Sequence, residues 1–166
     1  MSTVRNRQHT VKSEAATRAV RTPAGDAFSE LVVHLIRLNG ILAAEGEALA
    51  RPAGQTTARW QVLAMVENGP HTVARIAKTL GLARQSVQRV ADALETAGLV
   101  RYVDNPNHRR AHLVTLTEEG RTALASIQAE QRPWADRLGA TIGEPSLRRA
   151  NAILDRVLEV LSANRR

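Results

Sequence analysis

The chain of 166 residues contains no cysteine, which excludes disulfide bonds, thiolate metal sites and a thiol redox switch. Aromatic residues are scarce, with one Phe, one Tyr and two Trp, so the core must be built from aliphatic side chains. No continuous apolar run comes near the ~18 residues that span a bilayer, and no apolar segment typical of a secretory signal opens the chain. We therefore expect one α-rich cytoplasmic protomer without membrane contact.

The net charge of +7 is concentrated in two parts of the chain. Residues 1–25 and residues 70–112 each carry +4, whereas residues 26–69 carry −2 and residues 113–166 carry +1. The alternative is that arginine reflects genomic base composition, but residues 26–69 and 113–166 also use arginine and largely balance it with acids. The distribution predicts a polyanionic partner for residues 70–112. Residues 1–25 have few apolar side chains and are predicted to be a basic, mobile arm, as a solvated tail or an extra phosphate contact.

The pattern of residues 72–97 predicts two helices joined by a tight turn. Thr72 can accept a hydrogen bond from a free N–H of the first turn, and Gly81 can adopt the left-handed conformation that ends a helix. Ala77 has a minimal side chain, so a second helix can cross close to it. The apolar row predicted for the second helix is Val87, Val90, Ala91, Leu94 and Ala97.

The opposite face of the second helix carries side chains that suit nucleic acid. Arginine pairs with guanine, glutamine with adenine, and serine or arginine with phosphate oxygens. Beyond this helix, the apolar segments 99–103 and 113–116 enclose a polar loop and predict a β-hairpin. The polar face consists of Arg84, Gln85, Ser86, Gln88 and Arg89.

The small, glycine and apolar positions at Ala77, Gly81 and Val87 resemble those of a DNA-binding helix-turn-helix. The chain then continues through Leu99-Val100, the loop Asn105-Pro106-Asn107-His108-Arg109-Arg110-Ala111, and Leu116-Thr117-Glu118-Glu119-Gly120. With these segments in register, residues 28–161 resemble the winged helix of the MarR family of bacterial transcription regulators. The resemblance implies a mainly α fold with a small β-hairpin wing, flanked by N- and C-terminal dimerisation helices. The wing of this family usually reads Asp-x-Arg, and here a histidine replaces the acid that would form a local ion pair.

The resemblance also implies a homodimer on double-stranded DNA with a pseudo-palindromic operator, and a helix spanning residues 84–95 in each major groove. Base readers are predicted at Arg84, Gln85 and Gln88, phosphate contacts at Ser86 and Arg89, a minor-groove contact at Arg110, and further phosphate contacts at Arg109, Arg75 and Lys78. The expected function is a repressor released by a small effector. The alternatives are a winged-helix adaptor for another protein and a non-specific nucleic-acid binder.

Apolar residues outside the winged helix exceed what a lobe of that size can cover. Residues 26–50 predict a long helix capped by Asp26, and residues 147–161 alternate steps of three and four as in a helical seam. Between them, Pro133 is expected to kink or break a helix, and residues 139–145 read as a linker. The predicted domains are an arm (1–25), a dimerisation helix (26–54), a winged helix-turn-helix lobe (55–117) and C-terminal dimerisation helices (118–166). The predicted interface residues are Phe28, Leu31, Leu35, Leu147, Leu154, Val157 and Leu161, with packing inside one chain as the alternative.

Family resemblance further implies a small aromatic or phenolic effector. The side chains that could line its pocket are His34, Arg37, Trp60 and Trp134, although Trp60 also suits a core position and His34 a partly buried one. His108 and His112 are four residues apart on the wing. Outside a helix this spacing does not bring the two side chains together, so no metal site is predicted. No cofactor and no enzymatic activity are expected, because the sequence has no nucleophile–base arrangement, glycine-rich phosphate loop or paired carboxylates.

Overall fold

The computed structural model describes residues 21–108 and 110–164. Of these residues, 21–39 belong to an N-terminal unit and those from residue 40 onward to a second unit. The fold is mainly α with a small β-hairpin wing, as predicted, and a third short strand extends the hairpin into a sheet. In chain order the elements are α1 (Pro23–Ala50), a short 3-10 turn (Arg51–Ala53), α2 (Thr57–Met65), β1 (His71–Thr72), α3 (Val73–Leu80), α4 (Arg84–Thr96), β2 (Val100–Val103), β3 (Leu113–Leu116), α5 (Glu118–Ile142) and α6 (Glu144–Ala163).

The sheet is antiparallel, with β3 between β1 and β2. Strands β2 and β3 form the predicted hairpin, in which Val100 lies opposite Leu116 and Tyr102 opposite Val114. The two-residue strand β1 was not predicted, because it is too short to show alternation and is defined only by its pairing with β3. This pairing joins the start of α3 to the wing.

The predicted ends of α3 are confirmed by its hydrogen bonds. The Thr72 hydroxyl accepts from the backbone N–H of Arg75 at 3.2 Å, and Gly81 has φ of 66°. The start of α5 is capped in the same manner, since the Thr117 hydroxyl accepts from the N–H of Gly120 at 3.0 Å. Side-chain caps of this kind satisfy backbone donors that a helix leaves free at its N-terminus.

The core of the second unit lies between α2, α3, α4, the sheet and α5. The buried side chains include Leu63, Ile76, Leu94, Val114 and Leu124, one from each of these elements, and none exceeds 2% exposure. Burial of each stabilises the fold by about 1.5–3 kcal/mol. The winged helix is therefore held as one packed lobe with the first half of α5.

Residue Gly120 packs directly against the backbone that leads into β2. A Cβ on this glycine would lie 2.9 Å from the carbonyl carbon of Leu99 and 3.2 Å from a methyl of Leu116. The hydroxyl of Thr117 donates to the Gly98 carbonyl at 2.7 Å in the same region. The first turn of α5 is thus fixed against the base of the wing.

The predicted start of α1 is wrong, and of the kink or break predicted at Pro133 the break is absent. Helix α1 begins at Pro23 rather than Asp26, because the Thr22 hydroxyl accepts from the N–H of Gly25 at 3.1 Å and caps it; Asp26 lies inside the first turn. Pro133 does not end α5, which continues to Ile142. Proline has no N–H to donate to the carbonyl of Ala129, four positions earlier. Because both Pro133 and Ala129 are exposed, water can bind that carbonyl instead.

The predicted linker of residues 139–145 is also absent from this described part of the chain. Helices α5 and α6 are separated only by Gly143, which has φ of 88°. Ala97, predicted in the apolar row of α4, lies just beyond the end of that helix and is exposed. Of the predicted arm, residues 1–20 lie outside the described residues, whereas residues 23–25 belong to α1.

One segment, Pro23–Ala53, is long and apolar enough to cross a membrane by length and composition alone. Its most apolar stretch has a mean hydropathy of 1.4, so the expectation that no segment approaches this limit was too strict. The apolar residues are interspersed with small ones, which hides the stretch from a search for continuous runs. A helix that packs against protein satisfies the same criterion, so the segment does not by itself indicate a membrane protein.

Candidate nucleic-acid interface and small-molecule pocket

Helices α3 and α4 form a helix-turn-helix around a small contact residue. Ala77 is 4% exposed, and its carbonyl accepts from the N–H of Leu82 at 2.9 Å, which closes the turn. Helix α4 buries Val87, Ala91 and Leu94. Because one side of α4 faces the core, its polar residues lie on the outer side, where a ligand can reach them.

Most of the side chains predicted to contact DNA are exposed. Ser86 and Gln88 are half-buried, and Arg109 lies outside the described residues. The exposed residues are Arg75, Lys78, Arg84, Gln85, Arg89 and Arg110.

Three of the predicted residues meet around one hollow of about 220 Å³ between α4 and the wing. Arg84 and Gln88 contribute from α4, and Arg110 contributes from the wing loop. Thr72, Tyr102 and His112 are the other polar residues of its lining. The structure thus places a guanidinium from the helix and one from the wing at the same concave surface, which is the arrangement that binds phosphate or a groove edge.

A hydrogen-bonded triangle holds Gln88 in this hollow. Its Nε2 lies 2.8 Å from Asp92 Oδ1 and 2.8 Å from the Tyr102 hydroxyl. The same hydroxyl donates to Asp92 Oδ1 at 2.7 Å. Burial, followed by the hydrogen bond to Asp92, raises the pKa of Tyr102, so the phenol stays protonated.

Sequence reasoning missed Tyr102 and Asp92. The spacing of Gln88 and Asp92, four apart on a helix, was an available signal for their contact. The partnership with Tyr102 depends on how β2 packs beside α4 and has no local signature.

The wing is braced despite the loss of the acid at the position of His108. The Asn105 side chain accepts from the N–H of Asn107 at 3.0 Å, which forms a local turn. At the base of the loop, His112 Nδ1 lies 3.7 Å from Asp104 Oδ1. Among the described residues, no group of three or more His, Cys, Asp or Glu side chains could hold a metal ion.

A second hollow, of about 420 Å³, is lined mainly by apolar side chains. It contains Trp60 and Trp134, two of the four residues predicted for an effector pocket. His34 and Arg37 are not among its lining residues; both belong to the N-terminal unit, and His34 is exposed rather than partly buried. The lining residues are Leu42, Gly46, Leu49, Thr57, Trp60, Gln61, Ala64, Met65, Leu80 and Trp134.

Polar contacts fix two sides of this hollow. The Trp134 indole N–H donates to Glu45 Oε2 at 3.1 Å, which ties α5 to α1. The backbone N–H of Thr57 donates to Glu47 Oε2 at 3.0 Å, which ties the start of α2 to the same helix. Trp60 also packs against the core of the lobe, so it belongs both to that core and to the lining of the hollow.

The long helices leave large apolar side chains exposed. On α6, Leu158 is 62% exposed, and on α1, Ile41 is 60% exposed. The predicted interface residues Phe28 and Leu161 are exposed, whereas Leu31, Leu35, Leu147, Leu154 and Val157 are half-buried. Other exposed positions on α1 and α6 are Val33, Ile36 and Leu158, together with Ile153 and Val160, which are predicted to widen the seam of α6.

Comparison with known proteins identifies the family. Residues 53–111, which hold the helix-turn-helix and most of the wing, match the sequence model of the MarR family. An uncharacterized protein of Mycobacterium tuberculosis, Rv2011c, is 37% identical over 140 residues, covering 84% of this chain and 98% of the relative. The chain belongs to the MarR family. It is a winged-helix transcription regulator of that family.

Solved structures of other proteins share this fold over most of its length. The Mycobacterium tuberculosis regulator MosR, solved with DNA, is 25% identical with a TM-score of 0.65, covering 78% of this chain and 96% of that chain. CouR from Rhodococcus jostii RHA1, solved with p-coumaroyl-CoA, is 23% identical with a TM-score of 0.70, covering 76% of this chain and 90% of that chain. The likeness in fold therefore extends beyond residues 53–111, the range that the sequence model matches.

Proposed function

We propose that a homodimer of this chain binds a pseudo-palindromic DNA operator and represses transcription until a small aromatic or phenolic effector releases it. The observation that carries this proposal is the hollow shared by Arg84 and Arg110. The ion pairs found in the described ranges join other residues, so no carboxylate neutralises these two arginines there. MosR, which has the same fold, was solved with DNA.

In the proposed complex, α4 of each protomer enters the major groove and the two helices lie about 34 Å apart, one turn of DNA. Arg84, Gln85 and Gln88 read base edges, and Arg110 enters the flanking minor groove, where narrow A·T tracts attract arginine. Ser86 and Arg89 hold phosphates, with Arg75, Lys78 and Arg109 as further phosphate contacts.

A second copy of the chain is the proposed cover for the exposed apolar residues of α1 and α6. An obligate interface of this kind buries roughly 2,000 Å² or more. In a DNA-binding, cytoplasmic protein, burial of α1 in a dimer interface accounts for the length and hydropathy of Pro23–Ala53, which would otherwise suit a membrane span. Sedimentation equilibrium tests this, and a monomer at micromolar concentration contradicts it.

Fluorescence anisotropy tests DNA binding. Purified protein is titrated onto duplex from the DNA flanking its own gene and onto random duplex of equal length, over a salt series. A preference of at least ~10³-fold with a steep salt slope supports the regulator. Equal salt-dependent binding to both duplexes favours a non-specific nucleic-acid binder, and absence of binding favours the protein adaptor.

The apolar hollow beside Trp60 and Trp134 is the proposed effector site. Its volume of about 420 Å³ suits a small ligand, and an aromatic ring would pack against the two indoles. None of its lining residues is a lysine or arginine, so the hollow suits a phenolic ring better than a buried carboxylate. CouR, with the same fold, was solved with p-coumaroyl-CoA, which contains such a ring.

Release from DNA tests the effector role. A panel of phenols and aromatic acids is added to the protein–operator complex, and the anisotropy is followed. We expect a phenol to lower DNA affinity in the native protein and to lose this effect in Trp134→Leu. A compound that releases both proteins equally acts at another site.

A further inference from the structure

The three polar side chains of Gln88, Asp92 and Tyr102 leave little freedom in how their protons are arranged. The Nε2 of Gln88 is 2.8 Å from both partners, and Tyr102 and Asp92 are themselves 2.7 Å apart. An ionised carboxylate only accepts, so both the amide and the phenol must donate to Asp92. The phenol has one proton, so its oxygen accepts the second N–H of Gln88.

This arrangement also fixes which way the amide points. A flipped amide would place Gln88 Oε1 against the carboxylate and against a phenol whose proton is already used. Burial raises the pKa of Tyr102, which keeps that proton in place. With one N–H directed at each partner, both N–H groups of Gln88 are occupied, and Oε1 is the polar atom that remains for a ligand.

We propose that Tyr102 and Asp92 are specificity-determining positioning residues, which make Gln88 an acceptor-only contact to one base. A free glutamine recognises adenine with two bonds, donating to N7 and accepting from N6. Held in the triangle, Gln88 can only accept, from cytosine N4 or adenine N6. This inference rests on the proposed function, in which α4 lies in the major groove.

The expected base preference follows from this restriction. On the strand that Gln88 faces, cytosine and adenine should bind within about threefold of each other, because each offers one amino donor. Guanine and thymine offer only acceptors there and should bind at least ~5-fold more weakly. Tyr102→Phe frees one N–H, so adenine should gain the N7 bond and exceed cytosine by ~5-fold or more.

The triangle is tested first without DNA. In ¹⁵N-labelled protein, the Gln88 side-chain amide signal is assigned by its loss in Gln88→Ala. Tyr102→Phe should shift this signal and speed its exchange with water. Gln128→Ala is the matched control, since Gln128 donates to a carboxylate elsewhere, Glu67, and should leave the Gln88 signal unchanged. An unmoved Gln88 signal in Tyr102→Phe overturns the inference whatever the protein binds.

Base preference is then measured by selection from random duplexes, followed by single-base-pair changes in the selected site. Gln88→Ala marks the position that Gln88 contacts, and circular dichroism checks that each variant folds. A change to adenine preference at that position in Tyr102→Phe supports the inference, and Asp92→Ala supplies the same test should the phenylalanine variant not fold. An unchanged preference overturns the inference but leaves the regulator intact. Failure of the native protein to select any sequence overturns both.

Discussion

Replacement of Gly120 by alanine should damage the joint between the wing and α5. The added Cβ would lie 2.9 Å from the Leu99 carbonyl carbon, whereas carbon atoms pack best at about 3.5–4.0 Å. The two nearest atoms are the carbonyl oxygen and carbon of Leu99, which belong to the backbone, so the first turn of α5 must move away. Overpacking costs about 1–3 kcal/mol, and weakening of the Thr117 hydrogen bond to Gly98 adds up to about 1 kcal/mol.

Helix propensity opposes this loss, because alanine is better than glycine inside a helix by about 1 kcal/mol. Because the nearest atoms belong to the backbone and cannot rotate away, the upper overpacking figure of about 3 kcal/mol applies. With the lost hydrogen bond added and the helix propensity subtracted, the net expectation for Gly120→Ala is about 2–3 kcal/mol of lost unfolding free energy, or roughly 5–10 °C in melting temperature for a chain of this size. Gly139→Ala is the matched control, since Gly139 lies in the same helix with no atom within 4 Å of its missing Cβ. This control should gain up to about 1 kcal/mol.

Urea denaturation followed by circular dichroism measures both variants, with protein concentration held fixed because assembly changes apparent stability. Gly120→Ala with the stability of the native protein would refute the packing argument. Equal losses in both variants would mean that flexibility of α5, rather than space at its start, is what matters.

Three shorter predictions concern charge, capping and ionisation. Arg110→Ala should lower the salt slope of DNA binding by about one unit of log affinity per log salt, with the exposed Arg149→Ala as control; an unchanged slope would remove Arg110 from the interface. Ala83→Ser should stabilise the protein by about 1 kcal/mol in the same denaturation assay, because Ala83 has extended backbone angles at the start of α4 and supplies no side-chain cap; a loss of stability would contradict this. Tyr102, the lone tyrosine, should resist ionisation in absorbance titration until well above the ordinary value near 10 while the protein is folded. Its folded-state pKa is raised, so stability should fall as pH rises past 10; ionisation near 10 in folded protein would refute the buried phenol.

The sequence predicts the lobe because its signals are local. Helical spacing, the Thr72 cap and the left-handed Gly81 each act within one or two turns, and all three are confirmed. Features that failed depend on contacts far apart in sequence or on solvent. Strand β1 exists only through β3, and Pro133 is tolerated because its turn of α5 is exposed.

The same contrast between local signals and distant contacts applies to the candidate site. Exposed arginines of α4 can be named from residue type and face. The constraint on Gln88 cannot, because its partner Tyr102 is 14 residues away on a strand. His34 and Arg37, which the family resemblance allows as pocket residues, are likewise not among the lining residues of the hollow.

The scarcity of aromatic residues gives the protein a built-in optical signal. Its two tryptophans, Trp60 and Trp134, both line the apolar hollow. All indole emission therefore originates at the proposed effector site, without background from elsewhere in the chain. Quenching or a wavelength shift on adding a compound would report occupancy of that hollow in unlabelled protein. DNA binding could be followed separately by the anisotropy of a labelled duplex.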